Sequence, residues 1–187
     1  MEDDQMTLEI LMTGLDSKVM RHFWKTKDEL SGISTESPED RVSLVTLDVP
    51  SLYPGSVVDA HVFDPCGYSL NGLLDNQYFT VHITPEPHCS YASFETTVPE
   101  RNSADLQVLV QRVLDAFCPS KFSVSLFTTT RDCEERHQLL LKNAMDKMSG
   151  VVSMEKVSED TFGHWMLQFG QFECTAPNGN VKARLAL

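Results

Sequence analysis

The chain has 187 residues, 27 of them acidic and 15 basic for a net charge of -12, and 41% of it is hydrophobic. That length and apolar content describe a single globular unit, 1–187, with a core of its own, and the negative balance argues against a nucleic-acid partner, whose phosphates need a basic stripe. No stretch approaches the roughly 18 apolar residues of a membrane span and the start MEDDQM is no signal sequence, so a soluble, cytoplasmic chain with no membrane partner is expected. The five cysteines, Cys66, Cys89, Cys118, Cys133 and Cys174, are odd in number and lack CxxC spacing, which predicts neither a disulfide framework nor a metal site.

In chain order, Thr7 to Met12 alternates Thr7, Glu9 and Leu11 against Leu8, Ile10 and Met12, a strand with one apolar face that Gly14 closes. Asp16 is the expected N-cap of a helix from Ser17 through Trp24. Residues 25–48 mix charge, Ser, Thr, Gly and Pro with little periodicity and read as an irregular surface excursion. Val57 to Phe63, Tyr78 to Thr84 and Ser90 to Thr97 then form an expected three-stranded antiparallel meander, with Cys66, Gly67, Tyr68 and Ser69 on the turn that opens its first hairpin. Period 2 sets Phe79, Val81 and Ile83 on one face and Tyr78, Thr80, His82 and Thr84 on the other. A helix follows Ser103, with Leu106, Leu109, Val110, Val113, Leu114 and Phe117 at helical spacing, and Pro119 ends it. Lys121 to Thr130 reads as a strand, Asp132 to Met148 as a second helix, Trp165 to Phe172 as a last strand, and Thr175 to Leu187 as a frayed tail.

The reading is α+β, an antiparallel sheet with helices on one face. Its other face collects Thr7, Glu9, His82, Ser93, Glu95, Ser123, Ser125 and Phe127. Two accounts of that face stand side by side. One is a solvated sheet surface. The other is a polar layer awaiting a second sheet, in which Glu9 and Glu95 would be costly unless a cation met them.

FDPCGYSLNG at 63–72 and TVHITPEPHCSYASFET at 80–96 closely resemble two signature stretches of eukaryotic S-adenosylmethionine decarboxylase, and TLEILMTGLD at 7–16 and KFSVSLF at 121–127 extend the likeness. It is strongest over 7–130 and corresponds to the carboxyl-terminal half of that family. The resemblance implies one half of a four-layer α/β/β/α sandwich whose two halves meet sheet to sheet. It also implies a pyruvoyl cofactor, made by self-cleavage at an internal serine and acting as electron sink through a Schiff base with S-adenosylmethionine. That serine belongs to the amino-terminal half, which the 187 residues do not contain.

By the same resemblance Ser69 and His82 match the pair that assists proenzyme processing, Phe63 an aromatic that stacks on adenine, and Glu86 a carboxylate that binds the ribose hydroxyls. Thr7, Glu9, Glu95 and Phe127 match the inter-sheet charge site that takes putrescine. Gln5, where putrescine-activated members carry an acid, puts that regulation in question. From spacing alone, a direct hairpin between the first two strands of the meander would hold Phe63 and Glu86 apart, so their common pocket rests on the resemblance.

Cys66 reads as a small buried residue and Tyr68 as packing, while His22, His61, His88, His137 and His164 match no functional position. The leading function is the decarboxylase of spermidine and spermine biosynthesis. The partners implied are S-adenosylmethionine, putrescine and the missing amino-terminal half, and a homo-oligomer is compatible with them. The alternatives are a catalytically inactive truncated paralogue acting as a regulatory partner, and an adenosine-ligand binding module.

Overall fold

Alternation of large apolar side chains sets the central strand. In β1, Met6–Thr13, every second residue from Met6 to Met12 is buried, and Leu8, Ile10 and Met12 are sealed from solvent. The computed structural model of the chain describes residues 5–32, 52–100, 102–129, 139–155 and 157–175. Eight further strands follow: β2 Val57–Val62, β3 Tyr68–Leu74, β4 Gln77–Thr84, β5 Tyr91–Thr96, β6 Lys121–Thr129, β7 Val151–Ser153, β8 Ser158–Phe162 and β9 Trp165–Cys174. They form one antiparallel sheet in the order β2-β3-β4-β5-β1-β6-β9-β7, with β8 pairing the other end of the β9 edge.

Four helices accompany it among the described residues: α1 Ser17–Met20, α2 Lys27–Leu30, α3 Ser103–Phe117 and α4 Leu140–Met145. The principal cover is α3, whose Leu106, Val110, Val113, Leu114 and Phe117 are fully buried in the cluster that also holds Leu8, Ile10, Phe94, Val124 and Leu126 of the sheet. Each such side chain contributes roughly 1.5–3 kcal/mol by leaving water, enough to fix which face is inward. The Asn102 side chain caps α3 by accepting from the Ala104 and Asp105 amides, and Cys118 ends it in the left-handed region at φ 47. α4 has no side-chain cap of its own. The buried Gln168 of β9 accepts from the Leu141 amide at 2.9 Å and so anchors the start of α4 to the sheet.

Several sequence expectations change. The meander has four strands, because Tyr68–Leu74 is itself a strand paired on both sides, and Ser69 therefore lies on β3 and not on a turn. Asn71-Gly72 has the composition of a turn, yet it lies within β3, and Gly72 sits opposite Phe79, whose ring occupies the space a side chain would need; a Cβ there would lie 1.9 Å from Cζ. The actual turn is Asp75-Asn76, with Asp75 at φ 52. The expected helix 17–24 stops at Met20 and tightens into a 3-10 turn, Arg21–Phe23, after which Trp24 is extended. The Phe23 carbonyl accepts from the Gly67 amide and the Pro65 carbonyl from the Lys25 amide, so the chain leaves the helix to follow the 65–67 turn.

Within the expected irregular stretch 25–48, α2 forms behind a Thr26/Glu29 capping box, and residues 33–51 lie outside the described residues. Of the expected helix 132–148, residues 131–138 lie outside as well, and the described part is helical only to Met145. The final strand runs on to Cys174, and the expected tail lies outside the described residues beyond Thr175. β8 escaped notice because all five of its residues are exposed and none alternates. Among the described residues no helix is long and apolar enough to cross a membrane, and no group of three or more His, Cys, Asp or Glu could hold a metal ion.

Candidate functional site

The added strand decides where the motif residues meet. β2 runs toward the rim, β3 returns and β4 runs toward it again, so Val62 pairs with Tyr68 and Tyr68 with Ile83. The residues that follow β2 and β4, Phe63 and Glu86, therefore emerge at one end of the sheet, against the expectation from spacing. Between them the turn 63–67 is closed by the Phe63 amide donating to the Gly67 carbonyl at 3.0 Å. Gly67 stands at φ 108, a conformation that favours glycine. The result is a cleft of about 320 Å³ lined by Phe63, Cys66, Ser69, His82 and Glu86 together with Tyr68 and the 83–85 segment. That volume is at the lower end of small-molecule sites and large enough for a nucleoside.

Ser69 and His82 are directly opposed on β3 and β4, and the serine Oγ lies 2.9 Å from His82 Nδ1. With Ser69 donating, Nδ1 is the bare nitrogen and Nε2 carries the proton; with Ser69 accepting, the reverse holds. Either way a hydroxyl and an imidazole of the cleft lining stand within hydrogen-bond distance, the geometry a proton transfer between them needs. Glu86 lines the same cleft, and its Oε2 is buried with no hydrogen-bond partner among the described residues, an acceptor whose burial is costly until a donor reaches it. Burial and then the Glu86 charge push the Cys66 thiol up, away from the thiolate form that nucleophilic attack needs.

A second cluster lies on the same open face. Glu9 and Glu95 are direct partners across β1 and β5, and Thr7 pairs with Phe127 across β1 and β6. Partial burial, followed by the charge of Glu95, raises the Glu9 carboxyl above its ordinary range. Glu95 is held by the Tyr78 hydroxyl, which donates to Oε1 at 2.5 Å, and that bond together with burial raises the phenol. Phe127 stacks flat on Trp165, with centroids 4.8 Å apart and planes 5° from parallel.

Sequence reasoning missed Tyr78 and Trp165 as members of this cluster. Tyr78 could have been found from the period that sets it on the face of His82. Trp165, like Leu167 and Phe169, alternates with buried Met166 and Gln168 and stands half-buried on the open side. The open face is thus part acidic and part apolar, and neither a purely solvated nor a purely polar layer.

The chain matches the family model described as adenosylmethionine decarboxylase over residues 1–173. It is 42% identical over 123 residues to an S-adenosylmethionine decarboxylase proenzyme of Dictyostelium discoideum, covering 66% of this chain and 29% of that one. With the Xenopus laevis proenzyme of the same description it shares 43% identity over 138 residues, 70% of this chain and 38% of the relative. The chain therefore spans about a third of the length of these curated relatives. Its fold is similar to that in the crystal structure of a Trypanosoma brucei AdoMetDC-delta26 monomer, with a TM-score of 0.69 at 22% identity over 91% of this chain and 66% of that one.

Proposed function

Because the chain belongs to the adenosylmethionine decarboxylase family, we propose that it contributes the processing pair and the nucleoside pocket of a pyruvoyl-dependent S-adenosylmethionine decarboxylase of polyamine synthesis. The observation that carries this is the Ser69–His82 contact of 2.9 Å in a cleft whose other walls are Phe63 and Glu86. No serine of the chain sits in a Glu-Ser-Ser-like cleavage motif, so the serine that becomes the cofactor would come from sequence outside the 187 residues.

The residues present fit such a group. A carbonyl needs a hydrogen-bond donor and a nearby proton carrier, and the Ser69 hydroxyl and His82 imidazole offer both. When bound, the pyruvoyl group supplies the electron sink for loss of carbon dioxide. The chain's own residues bind and orient. Phe63 stacks on the adenine, worth about 1–3 kcal/mol, and Glu86 accepts from the ribose hydroxyls, each charge-assisted bond worth about 1.5–3 kcal/mol. His82 exchanges a proton with Ser69 during maturation.

At the acidic cluster, Glu9 and Glu95 form a site for a diamine, putrescine by family likeness, since a cation would relieve the pair that now repels. Gln5 removes one acid from that set. The absent cleavage motif also favours a second reading, in which the chain is an inactive paralogue that modulates a complete subunit through its half-apolar open face.

The test is to express the chain behind the amino-terminal portion of the Xenopus laevis relative and to follow precursor against processed chains on a gel. Self-cleavage in the unaltered fusion, blocked by Ser69→Ala and slowed by His82→Ala, supports the first reading. Normal cleavage in both variants removes the pair from the site, and no cleavage in the unaltered fusion favours the regulatory reading.

A further inference from the structure

His61 lies outside every matched functional position, yet the sheet sets it beside the cleft. β2 and β3 pair His61 with Ser69, and β3 and β4 pair Ser69 with His82, so the serine has an imidazole-bearing neighbour on each side. Two residues on, and so on the same side of the strand, comes Phe63. The His61 and Phe63 rings meet edge to face, with centroids 4.9 Å apart and planes at 82°.

Phe63 stands just past the end of β2. It is 47% exposed and lies beyond the ladder. The bond from its amide to Gly67 fixes its backbone, but its side-chain torsions are set only by what the ring touches. Among the ring's neighbours are the backbone at Gly67, where an added Cβ would lie 3.6 Å from Phe63 Cδ2, and the His61 imidazole.

We infer that His61 is a positioning residue that holds the Phe63 ring at the angle at which it lines the cleft, and thereby sets affinity for a planar nucleoside base. The inference rests on the nucleoside reading of the cleft given above. An edge-to-face aromatic pair contributes enough that its loss lowers affinity by about 3- to 10-fold.

The experiment uses the 187-residue chain, with adenosine as probe in calorimetric titration and the Phe63 side-chain torsion followed by NMR scalar couplings. The expected result is that His61→Ala spreads the Phe63 χ1 torsion over several rotamers and weakens adenosine binding by about 3- to 10-fold. His61→Phe restores both, and His61→Ala has no further effect on binding in a Phe63→Ala background. A merely structural histidine would weaken binding whatever the identity of residue 63. An unchanged Phe63 torsion in His61→Ala overturns the inference whatever the nucleoside does, and so does unchanged adenosine affinity in that variant. If the unaltered chain takes no adenosine while the Phe63 torsion does change, the nucleoside reading and the affinity role fall together and only ring placement by His61 stands.

Discussion

Replacing Glu9 by Gln should stabilise the chain at neutral pH. Glu9 holds its proton more tightly than a free glutamate, first because it is partly buried and second because Glu95 stands directly opposite. An acid raised in the folded state binds protons there more readily than in the unfolded chain. Stability therefore falls as pH rises from the ordinary value of 4.5 through the raised one, and the penalty is complete above it. Like charges facing each other across an antiparallel pair cost about 0.2–1 kcal/mol, and because solvent reaches this face the relief should be about 0.5 kcal/mol. For a chain of this size that is a rise of about 1–2 °C in melting temperature. Circular-dichroism melts at about pH 7 in low salt should show it. The gain should shrink in about 1 M salt, where the screening length is about 3 Å, and vanish near pH 3, where the raised Glu9 carboxyl holds its proton. Glu95→Gln should help less, since it exchanges the charge-assisted bond from Tyr78 for a neutral one. A lower melting temperature for Glu9→Gln at neutral pH, or a gain indifferent to salt, would show that Glu9 and Glu95 do not repel each other across the β1–β5 pair.

Putrescine added to the unaltered chain should raise its melting temperature, and the rise should be smaller in Glu9→Gln; equal rises would place the diamine elsewhere. Gly72→Ala should destabilise by about 1–3 kcal/mol, because its Cβ meets a Phe79 ring that is fully buried and packed on Tyr53 at 4.6 Å; urea titration gives the value. In a processed fusion enzyme, Phe63→Ala and Glu86→Gln should each raise KM tenfold or more, at about 1.4 kcal/mol per decade, and leave self-cleavage intact; failure to mature would assign these side chains to processing.

The strands with clean alternation, β1, β4, β5 and β6, were legible from period 2, and so was the face that each turns inward. β3 was not, because Asn71-Gly72 carries the composition of a turn while the glycine serves a cross-strand ring, a pairing visible only once Phe79 is known to lie opposite. The error spread to the site. Without β3, Phe63 and Glu86 fell at opposite ends of a hairpin; with it they share one rim.

The motif residues themselves were found by likeness to a family and not by chemistry, since a serine and a histidine separated by 13 residues have no spacing signature. Tyr78 and Trp165 were hidden for another reason: which polar or aromatic side chains meet across a sheet depends on register, and register depends on every strand between them. The stop of α1 at Met20 depended likewise on a distant turn, whose Gly67 amide claims the Phe23 carbonyl.

Release of labelled carbon dioxide from carboxyl-labelled S-adenosylmethionine tests the central claim most directly, measured on the chain alone and on the chain joined to the amino-terminal portion of the Xenopus laevis relative. The expected result is no release and a single uncleaved mass for the chain alone, release from the fusion, and loss of that release with Ser69→Ala. Release by the chain alone, or release from the fusion that is unchanged by Ser69→Ala, would contradict it.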